Sequence, residues 1–160
     1  MWQDFANTLN ELNKAYKALI ELGKKKRNAL VMVDMKTVEN LLPQEEKITA
    51  DIAQLEKKRQ DILLQVAAHS EKLRPESKME DILGIVPAGK MQEVLRMLYA
   101  MLQNTVKEAQ EISEGNALLI RAAMNAVTFH LNRIGGAAVE PAYSRGGEVV
   151  THRKNFDCNA

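Results

Sequence analysis

Apolar residues recur in steps of three and four along most of the chain, and three long stretches keep that rhythm. Trp2, Phe5, Leu9, Leu12, Tyr16 and Leu19 form the first stripe, and the register runs on through Gly23 and Lys26 to Leu30 and Val33. Such spacing lines up side chains on one face of an α-helix, so it predicts a long first helix with a polar fault in its middle. Ile48, Ile52, Leu55, Arg59, Ile62, Val66, His69 and Leu73 form the second stripe. Met91, Leu95, Leu98, Leu102, Thr105, Ala109, Ile112, Asn116, Leu119 and Ala123 form the third, which is a heptad seam. Past Ala123 the rhythm loosens to Val127, Leu131 and Ile134, with the four-residue step repeated, a pattern that locally unwinds a coiled coil.

The residues between the stripes set the boundaries. Asp34 is a plausible N-cap, and 36–42 can already be helical. Pro43 lacks an N–H, so it either kinks that segment or sits in the first turn of the second helix, and the reversal is expected between Asp34 and Pro43. Arg74-Pro75 ends the second helix. Ser77 and Glu80 form a capping-box pattern ahead of Ile82 and Leu83, which predicts a short helix over about 78–83. Gly84, Pro87 and Gly89 break the chain, Lys90 opens the last helix, and Gly135-Gly136 closes it. The expected fold is all-α: an elongated antiparallel bundle of three long helices plus one short helix over 1–134, packed in coiled-coil fashion, followed by a tail over 135–160.

That tail has Pro141, paired glycines at 146 and 147, and no sustained period; Tyr143, Val149, Val150 and Phe156 are its anchors. Ordering each residue costs about 1–2 kcal/mol of backbone entropy, and burying each anchor returns only about 1.5–3 kcal/mol. The free tail is therefore expected to be mobile and to order on a partner.

Composition agrees with helices. Apolar residues make up 46% of the 160 and charged residues 27%, which is globular, while aromatics at 4% and few glycines and prolines disfavour a β-sandwich. With 22 basic and 21 acidic residues the net charge is +1, which lacks the electrostatic footprint of a nucleic-acid binder. The basic run Lys24–Arg27 reads as a solvated helix face or as a patch for an acidic partner. Cys158 is single and closes no intramolecular disulfide, which points to a reducing compartment. No run of eighteen apolar residues and no signal-peptide core occur. A soluble, cytoplasmic protein without membrane insertion is expected.

Catalytic, cofactor and metal patterns are missing. A valine stands three residues before each histidine, so the Glu-x-x-His pairs of di-iron bundles do not occur. There is no H-E-x-x-H, no paired-cysteine zinc spacing, no P-loop and no G-x-G-x-x-G. One Arg145-Gly146-Gly147 in a near-neutral chain is a weak RNA signal. Polar residues on the stripes are more informative. Arg59 requires a carboxylate partner or must snorkel to the seam's edge. His69 reads as a hydrogen-bonded seam histidine. Asn116, between Ile112 and Leu119, either fixes register in a buried seam or, with Glu114-Gly115, marks a joint where the helix meets a partner. Met91, Met97, Met101 and Met124 read as core or as an adaptable groove.

Three blocks in order resemble the FlgN family of flagellar type III export chaperones. The first runs from Lys47-Ile48 to Leu55-Glu56-x-x-Arg59, the second is Asn116-Ala117-x-Leu119, and the third is Tyr143-x-x-x-Gly147. The resemblance implies a non-enzymatic chaperone that holds the helical termini of the hook-associated junction proteins FlgK and FlgL and delivers them to the export gate. It implies a partner-binding surface on the last helix and tail: Asn116, Leu119, Ala123, Val127, Leu131, Tyr143, Gly147, Val149 and Val150. Tyr143 matches the family's tail tyrosine. A helix-in-groove mode fits such cargo, and a monomer or weak homodimer is expected. The competing classes are a coiled-coil spacer or oligomerisation protein, and a regulator that binds nucleic acid through Lys24–Arg27.

Overall fold

A computed structural model describes residues 1–74, 76–135, 142–143 and 149–150. Four helices follow one another, α1 (Trp2–Val31), α2 (Met35–Ala68), α3 (Met79–Ile85) and α4 (Lys90–Ile134), and then the short strands β1 (Ala142–Tyr143) and β2 (Val149–Val150). Three long helices and one short one make the fold all-α, as the stripes predict. The chain divides into two compact units, Met1–Ala117 and Leu118–Ala160.

In the first unit the three stripes meet in one core. Phe5, Leu9 and Leu12 of α1, Ile52, Ile62 and Val66 of α2, and Leu95, Leu98 and Leu102 of α4 are buried together. Direction follows from the contacts between helices. Lys26 pairs with Glu45 at 3.0 Å and Glu11 with Lys58 at 3.8 Å, so α2 runs against α1. Asn13 bonds to Leu98 and Gly23 to Asn116, so α4 runs with α1. This is the down-and-back arrangement of an antiparallel three-helix bundle.

The first reversal is tighter than expected and lies earlier. It occupies Met32–Asp34, where Val33 takes a left-handed φ of 56°. Asp34 caps α2: its carboxylate accepts from the Thr37 N–H at 3.2 Å and the Thr37 hydroxyl at 2.6 Å. Those bonds hold the Asp34 carboxyl below its ordinary range. Pro43 is therefore no boundary residue; it lies inside α2. A proline removes one ladder bond there, and buried Val38 and Leu41 hold the preceding turns in place.

Two further boundaries move. α2 ends at Ala68, short of Arg74-Pro75, so His69 is its exposed C-cap, with Nδ1 2.7 Å from the Gln65 carbonyl, rather than a seam residue. The cap of α3 shifts by one residue from the Ser77–Glu80 pattern: the Asp81 carboxylate accepts from the Lys78 N–H at 3.0 Å. The Ser77 hydroxyl instead accepts from the Arg74 N–H at 2.8 Å. α3 is short but well seated, with Met79, Ile82 and Leu83 buried. Gln92 of α4 donates to the Leu83 carbonyl at 2.9 Å.

In the second unit β1 and β2 pair antiparallel, with Ala142 opposite Val150 and Tyr143 opposite Val149. Of the tail over 135–160 that is expected to be mobile, 136–141, 144–148 and 151–160 lie outside the described residues.

Candidate docking surface

Two polar stations lock α1 against α4 inside the first unit. At the first, the Asn13 amide donates to the Leu98 carbonyl at 3.1 Å, and the Thr105 hydroxyl lies 3.3 Å from Asn13 Oδ1 while bonding to the Met101 carbonyl at 2.7 Å. At the second, the Asn116 Nδ2 donates to the Gly23 carbonyl at 2.9 Å. Asn116 is only 4% exposed, and its Oδ1 has no hydrogen-bond partner. A half-satisfied buried amide is stabilising only in one register, because sliding either helix leaves the donor unpaired as well. The seam reading of Asn116 thus has a physical basis. Asn13 was not singled out from the sequence, although its place four residues after Leu9 and three before Tyr16 puts it on the same stripe.

Gly23 explains the polar fault in α1. A Cβ built there would stand 2.6 Å from Ile112 Cγ2, so the missing side chain is what lets the helices approach. Two of the neighbouring cations are paired. Lys24 pairs with Glu108 at 3.4 Å, and Lys26 with Glu45. Arg59 pairs with Glu56 at 2.7 Å and remains half-buried, as a stripe arginine must. Burial raises the nearby Tyr16 hydroxyl above its ordinary range, with the Glu56 carboxylate adding to the shift and Arg59 opposing it.

The pattern changes in the part of α4 that belongs to the second unit. No residue of α4 after Asn116 is buried. Leu119 is half-buried and Ala123 exposed; Val127 is 58% exposed, Leu131 64% and Ile134 83%. Met124 shares that face, since it lies three residues before Val127. Leu118 and Phe129 are also exposed, and Phe129 makes an edge contact with His130. Of the residues assigned to partner binding, Ala123, Val127 and Leu131 therefore share an accessible helical face, while Asn116 faces α1. Tyr143, Val149 and Val150 stand in the β pair, and Gly147 lies outside the described residues.

A second apolar surface escaped the sequence reading. Val31, Met32, Val33 and Met35, around the first reversal, are all exposed. Its signal was the run Ala29-Leu30-Val31-Met32-Val33, more apolar than one helix face requires.

Among the described residues no group of three His, Cys, Asp or Glu is placed to hold a metal ion, and no helix is long and apolar enough to cross a membrane. Compared with known families, residues 1–151 match the model described as FlgN protein. No curated protein and no solved structure matches the chain.

Proposed function

The chain belongs to the FlgN family, whose members are non-catalytic cytoplasmic chaperones of flagellar type III export, and we propose that it holds the helical termini of the junction proteins FlgK and FlgL and delivers them to the export gate. The observation that carries this reading is the accessible stripe of Ala123, Val127 and Leu131 on α4. An amphipathic cargo helix exposes a complementary stripe that would otherwise self-associate. Burying each large side chain on such a face contributes about 1.5–3 kcal/mol. With Met124 and Ile134 on the same face, Val127 and Leu131 make four such side chains, which provide a useful affinity after the cost of association is subtracted. The tail supports delivery, because a tyrosine in a short β pair is a compact, partly apolar anchor.

Calorimetry with a terminal helical peptide of FlgK or FlgL tests the reading. A defined complex is expected, weakened at least about tenfold by Val127→Asp or Leu131→Asp, equivalent to about 1.4 kcal/mol or more. A stable oligomer of this chain that is indifferent to both peptides would assign it instead to the coiled-coil spacers.

A further inference from the structure

Within the first unit, α2 and α4 enclose a cleft that α3 fills only in part. α3 enters it as an amphipathic helix, burying Met79, Ile82 and Leu83 and held by Gln92 of α4. Beyond Met79 and Ile82 the cleft continues as an open groove of about 530 Å³, reaching Glu56 on α2 and Gln110 on α4. Its floor is apolar, formed by Leu63 of α2 and by Leu102 and Val106 of α4. Its α4 wall runs from Tyr99 to Gln110, about 16 Å, or three helical turns.

The edges of the groove are charged and unevenly balanced. Arg59 lines one wall and Lys107 the other. The single carboxylate of the lining, Glu56, is taken by the Arg59 Nε. Lys107 forms no ion pair among the described residues. Two cations against one anion leave the groove with an excess positive charge beside an apolar floor.

We propose that this groove is a second docking site, which accepts one amphipathic helix of a partner protein, about three turns long and carrying carboxylates along its edges. The occupant follows from continuity with α3: the same cleft already seats a short helix through apolar residues three positions apart, Met79 and Ile82. A guest helix completes a four-helix layer where α3 stops, with apolar anchors on Leu63 and Val106 and acidic residues meeting Lys107 and the free nitrogens of Arg59. The site is independent of the stripe on the last turns of α4, so it stands or falls separately from cargo binding there.

Fluorescence anisotropy on the full chain tests the proposal with a labelled helical peptide of about twelve residues, with leucines three and four apart and glutamates at the edges, and with a twin bearing lysines instead. The glutamate-edged peptide is expected to bind at least about tenfold more tightly than its twin. Lys107→Glu, an exposed substitution, is expected to erase or invert that preference without lowering the melting temperature. Leu131→Asp is expected to leave it unchanged. Equal affinity for both peptides, absence of saturable binding, or loss of binding through Leu131→Asp would overturn the proposal.

Discussion

The Asn116 side chain reaches from α4 to the backbone of α1 and donates to the Gly23 carbonyl at 2.9 Å. Contact this close between two helices requires a residue without a side chain on one of them. Gly23 meets that need, and Ile112 closes over it one turn before Asn116.

Gly23→Ala is therefore expected to destabilise the bundle by about 1–3 kcal/mol, as overpacking does. Alanine's better helix propensity offsets only about 0.5–1 kcal/mol of the clash. Chemical denaturation measures the loss. Ile112→Ala in the same chain should recover part of it, since it removes the methyl that a new Cβ would strike. If the two substitutions add without coupling, the close approach is not what Gly23 provides.

Asn116→Leu should raise the melting temperature, because it removes a buried oxygen without a partner. It should also relax the register of α1 against α4, visible as extra amide resonances or as altered oligomerisation. A lower melting temperature would mean that the bond to Gly23 outweighs the orphaned oxygen.

Asp34 links pH to the first reversal. Its folded pKa is depressed by the bonds to Thr37, so its contribution is present above the unfolded value of 3.8 and is lost as pH falls through the lower folded value. Asp34→Ala should lower stability at neutral pH and flatten that acid limb. Asp34→Asn should keep most of the neutral-pH stability, since asparagine also caps, while removing the titration. A set of melts across the acid range checks both.

Tyr143→Ala should weaken binding to the export-gate domain by on the order of 2 kcal/mol, as the loss of an aromatic anchor does, while affinity for the junction peptide is retained. Deleting 137–160 should leave the melting temperature almost unchanged and abolish gate binding. Calorimetry with the two partners separately distinguishes these outcomes, and a collapse of the melting temperature would make the tail part of the folded core.

Stripe spacing determined the three long helices, and the Ser77–Glu80 pattern with its flanking breakers marked the short one, because period, length and capping signals are local properties that no partner residue has to supply. The FlgN blocks were equally legible in the order and spacing of their residues. Exact ends were not. Pro43 and His69 carry local signals for stopping or burying a helix, and burial of Val38 and Leu41, or an early exit at Ala68, overrode each. Only the tertiary structure paired Asn13 with Leu98 and Gly23 with Asn116, since a polar residue on a stripe does not reveal which backbone it will meet. It also separated the two halves of the third seam: Leu95, Leu98, Leu102, Thr105, Ala109 and Asn116 are buried, whereas Ala123, Val127 and Leu131 remain accessible. Steps of three and four carry apolar residues through both halves, although the heptad loosens past Ala123. What differs is burial, and that depends on long-range packing rather than on the stripe itself.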